Sequence, residues 1–296
     1  MAAFGDIMEY GAMDETRSVL GLLNKIIKVL IGAVILLVID IGFEVSFPAV
    51  RELNLYTDKL RKGKEIVFLQ ISDLHGRVSG STAGVILAEV EKTKPAAVLI
   101  TGDLVDYSTK DFSRIYTLIE RLHSICPEIY FVSGNHEWSN PGRPELIKKL
   151  SDLGVKMLDN KGTEVSINRT AINLCGVDDP YRRMDRIEKA MKAADDSKYT
   201  ILLSHSPGIR KRLGGYVPDL ILCGHTHGGQ VRLPWVGALI APGEGLFPKF
   251  DKGSFKLEQG TIMYIDSGVG TSHMPVRFLN RSQISRLRIK GGIPQL

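Results

Sequence analysis

Residues 65–75 read EIVFLQISDLH: a run of strand character that stops abruptly at a serine, an aspartate and a histidine. The same grammar recurs four times. Ala97–Ile100 (AVLI) runs into TGDLVD, Ile129–Val132 (IYFV) into SGNHE, Thr200–Leu203 (TILL) into SHSP, and Leu220–Leu222 (LIL) into CGHTH. Short runs that are apolar at nearly every position suit strands buried on both faces. Helical stretches near 81–93, 109–125, 144–152 and 183–194 separate them, with Pro144 placed for a first turn. Leu158–Gly176 reads as a hairpin, Thr163–Val165 against Ala171–Leu174 around Asn168 and Arg169. The tail adds strands at Phe255–Leu257, Ile262–Ile265 and Ile284–Ile289. The expected class is α/β, with a β-rich second half.

With 296 residues, 44% hydrophobic and 24% charged, the composition excludes disorder, collagen-like repeats and a coiled coil. Three cysteines, Cys126, Cys175 and Cys223, form no CxxC pair, so neither a disulfide scaffold nor a thiolate zinc finger is expected. No internal repeat or low-complexity linker is visible, so 44–296 is expected to be one domain, behind a separate segment at 1–43.

That segment holds VLIGAVILLVI (29–39), and its apolar character extends over about 19–43. Gly21, Asn24, Lys25, Lys28 and Gly32 fall on one helical stripe, and lysines near a helix end snorkel to headgroups. A single-pass anchor, an interfacial helix and a buried core helix all remain open; a cleaved signal peptide fits poorly. Membrane lipid is thus an expected partner. The net charge of +5 is uneven, because five acids and three bases before Glu44 leave the rest near +7. A basic body suits an anionic substrate or membrane. No arginine-rich run appears, so nucleic acid is not an expected partner. Oligomeric state is not legible.

Five of the seven histidines, His75, His136, His205, His225 and His227, end an expected strand. Carboxyl ends of strands are where open α/β sheets bind ligands. One histidine or aspartate there is ordinarily a loop cap. Five such ends bring Asp, Asn and His from distant parts of the chain into one pocket. Without thiolates, that set suits a mixed nitrogen and oxygen site for Mn²⁺, Fe or Zn²⁺. Asp-x-His and His-x-His put both members on one side of an extended segment.

The series DLH (73–75), GDLVD (102–106), GNHE (134–137), SH (204–205) and GHTH (224–227) resembles the calcineurin-like metallophosphoesterases. The likeness covers about 65–296. It continues through GHTHGGQVRLP (224–234), APGEGLFPKF (241–250) and GTSHMPVRFLNR (270–281), which are similar to a bacterial branch often carrying a membrane anchor or export signal. The resemblance implies a four-layer α-β-β-α sandwich with two divalent metal ions at its edge. It implies that Asp73, His75 and His227 bind one ion, that Asn135, His205 and His225 bind the other, and that Asp103 bridges them. His136 is not a ligand in that pattern; it contacts the phosphate or protonates the leaving oxygen. Gly76-Arg77 after His75 departs from the Leu-Gly of many relatives, which bears on substrate contact.

Two divalent ions and two carboxylates leave the site at about +2, attractive to a phosphate ester. Paired ions activate water and hold a phosphoryl oxygen, so no side-chain base is needed. Asp106 and Glu137 are candidates for orienting imidazoles, or equally for caps. Arg77, His273 and Arg277 are weaker substrate-side candidates; His123 and Trp138 read as structural. The expected function is hydrolysis of a phosphodiester, lipid-linked or cell-surface, by a membrane-held domain outside the cytoplasm. A protein Ser/Thr phosphatase and a non-catalytic scaffold are the alternatives.

Overall fold

The computed structural model describes residues 3–271 and 275–292, with side chains from residue 20 onward. Contacts divide the chain into two compact units, Met1–Phe43 and Glu44–Leu296. The first belongs to one long helix, α1 (Ala3–Ser46). Its stretch Leu20–Ser46 has 27 residues at mean hydropathy 2.6, none of its most apolar part buried, which is long enough to cross a bilayer. The helix starts well before the apolar run near 19, because nothing between Ala3 and that run is a proline.

The second unit is built on two six-stranded sheets. The first contains β1 (Ala49–Thr57), β2 (Glu65–Ile71), β3 (Ala97–Ile100), β4 (Ile129–Phe131), β5 (Lys156–Met157) and a strand from the far end of the chain. The second begins with β6 (Lys161–Ile167), β7 (Thr170–Gly176), β8 (Tyr199–Leu203) and β9 (Leu220–Cys223). Two small ribbons follow: β10 (Arg232–Leu233) with β11 (Gly237–Ala238), and β12 (Ile240–Ala241) with β13 (Gly245–Leu246). Then β14 (Gly253–Lys256) and β15 (Ile262–Ile265) complete the second sheet, and β16 (Gln283–Gly291) returns to the first. The orders are β1-β16-β2-β3-β4-β5 and β14-β15-β9-β8-β7-β6. Strands β2 to β5 run parallel, as do β7, β8, β9 and β15.

Strand periodicity explains the layering. Along β2 and β3, Ile66, Phe68, Ala97 and Leu99 pack between the sheets, together with Ile201, Leu203 and Leu222 from the opposite sheet. Their alternates Leu69, Ile71, Val98 and Ile100 pack outward against helices α2 (Gly80–Thr93), α3 (Ser113–Ile125) and, after the short α4 (Asn135–Ser139), α5 (Arg143–Asp152). On the second sheet Leu202, Ile221 and Met263 face outward onto α6 (Ile187–Met191). The result is a four-layer α-β-β-α sandwich whose second helical layer is thin. Each buried Leu, Ile or Phe contributes roughly 1.5–3 kcal/mol, so the continuous runs drive the stacking.

Further differences from expectation have physical causes. The helix expected over 183–194 shrinks to five residues, because Asp179 draws the N–H groups of Tyr181 and Arg182 into turns ahead of it. Strand β1 was not anticipated. It is an edge strand, half exposed, and its polar residues Arg51, Glu52 and Asn54 obscure any alternation. The hairpin turn is as expected: Asn168 and Arg169 both take positive φ, 49° and 64°, between β6 and β7.

Candidate metal centre

The carboxyl ends of β2, β3 and β4 meet those of β8 and β9 along one edge of the sandwich. Beneath them Gln70 Nε2 donates to Thr101 Oγ1 (3.0 Å) and to the Cys223 carbonyl (2.9 Å), tying the two sheets together. Just beyond, the backbone turns sharply. Asp73, His75, Asp103, His225 and His227 all have φ between 49° and 71°, a left-handed conformation costly for side-chain-bearing residues. Such strain clusters at working sites. Gly102 (φ 85°) must be glycine, since a Cβ there would lie 2.7 Å from His205 Nδ1.

The turns gather the expected ligands into two adjoining groups. In one, Nε2 of His75 and Nε2 of His227 are 3.1 Å apart, with Asp73 Oδ1 3.9 and 3.6 Å from them. In the other, His205 Nε2 stands 3.1 Å from Asp103 Oδ2, 3.1 Å from His225 Nδ1 and 3.2 Å from Asn135 Oδ1. His205 Nδ1 faces the Thr101 carbonyl at 2.8 Å, which places a proton there and turns Nε2 to the site. His75 Nε2 is also 3.7 Å from Asp103 Oδ2, so this carboxylate faces both groups. All the carboxylates and imidazoles here are buried. A single proton between two nitrogens satisfies one pair; it cannot serve three or four converging acceptors. A divalent cation does, so the donor set fits metal ions in both groups.

His136 adjoins the first group, its ring edge-on to His75 with centroids 4.6 Å apart. The Tyr107 N–H points at His136 Nδ1 (3.2 Å), and Asp106 Oδ2 lies 3.4 Å from the same nitrogen. The N–H asks for a lone pair on Nδ1 and the carboxylate for a proton, while Nε2 lies 4.0 Å from Asp103 Oδ2. Asp106 therefore does face imidazoles, His75 as well as His136. Glu137 touches none. It accepts from the N–H groups of Asp103, Val105 and Gly134, capping its own helix and pinning the turn after β3.

The substrate-side candidates fare differently. Arg277 is wholly buried and donates to the carbonyls of Ser267, Gly268, Gly270 and Asn280, so it staples a loop and is not open to substrate. Arg77 is exposed on the turn after His75. His273 lies outside the described residues. Trp138 donates to Asp178 Oδ1 (2.7 Å) beneath the Arg143 guanidinium. Sequence reading missed Tyr107, Tyr181, whose ring lies 4.9 Å from that of His225, and Asn280, whose amide donates to the His227 carbonyl (2.7 Å). Tyr107 carried a signal by adjoining GDLVD, and Asn280 by lying within GTSHMPVRFLNR (270–281).

The sequence profile of calcineurin-like phosphoesterases matches residues 66–229. An uncharacterized metallophosphoesterase of Aquifex aeolicus is 33% identical over 256 residues, covering 84% of this chain and 94% of the relative. The chain belongs to the calcineurin-like phosphoesterases. A Helicobacter pylori member is 34% identical over 82% of this chain, and the match spans 64% of that relative's length. A transmembrane protein with a metallophosphoesterase domain from Danio rerio is 28% identical over 97% of the chain and 67% of its own length. The family is one of metal-dependent hydrolases of phosphoric esters, and the chain carries candidate metal-ligand groups of the kind that chemistry needs.

Burial pushes His75 and His225 down to about 4 and about 3, and His227 well below its usual value, leaving neutral lone pairs suited to metal. Burial raises the Asp103 carboxyl, but the charge of His205 outweighs it and holds Asp103 below the usual range, while His205 is raised in turn. Burial, with the charge of Asp103 beside it, lifts Asp73 to about 7 and Glu137 to about 8. The signs follow from linkage. Raised groups (Asp73, Glu137, His205) contribute stability that is complete at low pH and lost as pH rises through their folded values. Depressed histidines penalise folding only as pH falls below about 6.5. Metal-stripped protein should therefore lose stability in chaotrope titrations between about pH 6.5 and 8, and saturating Mn²⁺ should flatten that loss. Stability that climbs steadily across the same window without metal would contradict this electrostatic picture.

Proposed function

We propose that this phosphoesterase is a membrane-held, dinuclear phosphodiesterase in which His136 protonates the leaving group. In this reading Asp73, His75 and His227 hold one ion, Asn135, His205 and His225 hold the other, and Asp103 lies between them. Bound divalent ions, Mn²⁺, Fe or Zn²⁺, supply Lewis acidity that activates water and takes up phosphoryl charge. The chain's own part is to fix the His205 imidazole through the Thr101 carbonyl, and to aim a proton from His136. The observation carrying the reading is the Asp106 carboxylate 3.4 Å from His136 Nδ1, an anion placed to offset the imidazolium that would give its Nε2 proton to the leaving oxygen.

A diester is favoured over a monoester by charge. Among the described residues, no hydrogen bond or ion pair of the seven ligand side chains involves a lysine or arginine, and Arg277 is committed to carbonyls. A singly charged phosphodiester asks less cationic compensation than a dianionic monoester. In this reading Lys25 and Lys28 ahead of the apolar run stay on the cytoplasmic side and the catalytic unit lies outside, against the pull of Arg51, Lys59, Arg61 and Lys62 within about 20 residues after the run. Protease added to intact, wall-stripped cells should then cut the catalytic unit; a domain protected until lysis reverses the orientation.

His136→Ala, assayed as metal-loaded full-length protein, should retain its metal yet turn over alkyl phosphodiesters about 10²–10⁴-fold more slowly. A 4-nitrophenyl diester, whose leaving group needs no proton, should suffer far less. Equal losses on both would remove His136 as the acid. Monoesters or phosphopeptides hydrolysed in preference to every diester would remove the substrate class.

A further inference from the structure

Beyond His227 the chain forms the two small ribbons, and their outward side chains are unusual. Leu233, Trp235, Val236, Ile240, Leu246 and Phe247 are all exposed within fifteen residues, Trp235 completely. Scattered apolar side chains on a surface are ordinary; a contiguous set marks a contact surface. The backbone beneath them is firmly held. Arg232 donates to Asp251 Oδ2 (2.6 Å) and to the Gly228 carbonyl (3.0 Å), the Arg232 N–H bonds the Phe278 carbonyl (3.0 Å), and Ala238 and Ala241 are buried. The apolar tips are therefore presented outward by a braced scaffold.

This surface borders the metal centre. Gly243, in the turn between β12 and β13, lies so close to His225 that a Cβ would stand 3.2 Å from its Nε2. The next residue, Glu244, forms a two-pronged ion pair with Arg210 (2.6 and 2.8 Å). Arg210 in turn lines a cleft of about 470 Å³ with Lys211, Lys249 and Lys256, against one carboxylate, Glu258. None of those three lysines forms an ion pair among the described residues. Apolar tips beside unneutralised lysines match the boundary between acyl chains and anionic headgroups.

We propose that residues 231–250 form a lip of the active site that enters an anionic bilayer, with the lysine cleft holding headgroups, so that the substrate is a membrane-borne phosphodiester. This rests on the phosphodiesterase reading above. The bilayer is chosen as occupant because the chain carries its own unburied apolar helix, Leu20–Ser46, and the catalytic unit begins at Glu44 without a linker. Exposed tryptophan and phenylalanine are also the side chains that favour a membrane interface.

Tryptophan fluorescence provides the test, since the chain has two tryptophans and Trp138 is half-buried, tied to Asp178 beneath Arg143. Full-length protein is placed in nanodiscs of phosphatidylcholine and phosphatidylglycerol, with or without bromine on the acyl chains. Brominated lipid should quench the wild-type emission, Trp235→Phe should abolish that quenching, and Leu246→Ser with Phe247→Ser should reduce it at least about twofold. Discs of phosphatidylcholine alone should quench less, because the lysines lose their anionic partners. Absent quenching, or equal quenching in Trp235→Phe, overturns the lip. So does a double variant that only changes the oligomeric state, since that makes the patch a contact between proteins. Hydrolysis of bis(4-nitrophenyl) phosphate by wild type is measured in the same discs. Quenching without diester hydrolysis overturns the phosphodiesterase reading while sustaining membrane docking, and hydrolysis without quenching does the reverse.

Discussion

The Asp103 carboxylate is the constraint on which the rest of the site depends. It is buried at the end of β3, accepts the His136 N–H (2.9 Å), and faces His205 Nε2 at 3.1 Å and His75 Nε2 at 3.7 Å. A buried anion between imidazoles is stable only with positive charge beside it. Against burial, the charge of Asp103 raises His205, yet a single proton on its Nε2 could not serve Asp103, Asn135 and His225 together. The family's metal ions resolve what the fold otherwise leaves in conflict. The left-handed turns at Asp73, His75, Asp103, His225 and His227 are then the cost of bringing five strand ends to one edge.

The sandwich supplies rigidity for that arrangement. Gln70 crosses from the first sheet to the second below the ligands, and Gln283 Nε2 reaches Asp266 on the opposite sheet nearby. Arg277, with four carbonyl partners, braces the loop that backs Asp73. The candidate ligands are thus held by groups outside the ligand set. The ribbons at 231–250 obey the same economy: buried alanines and an arginine–aspartate pair fix the backbone, and the apolar tips are left to meet something else.

Much of this was legible in sequence, for physical reasons. Runs such as EIVFLQI and AVLI are buried on both faces, so nearly every position reports the core, and their abrupt polar ends mark the edge where ligands collect. The ligand types carry their own chemistry, and the family motifs order them. Edge strand β1 was illegible because its alternation is masked by solvated residues. Arg277 was misread because nothing in a lone arginine's sequence context tells whether loop carbonyls will close around it. Asn280 meets His227 across 53 residues, a contact only the folded chain creates. The exposure of the set from Leu233 to Phe247 was not legible, since exposure of an apolar residue is set by the scaffold beneath it.

The central claim is that Asp103 couples two metal ions. Electron paramagnetic resonance of the Mn²⁺-loaded full-length protein tests it most directly. The account predicts an exchange-coupled multiline spectrum in the wild type that collapses to isolated six-line ions in Asp103→Asn. A wild-type spectrum of one uncoupled ion, unchanged by Asp103→Asn, would contradict it.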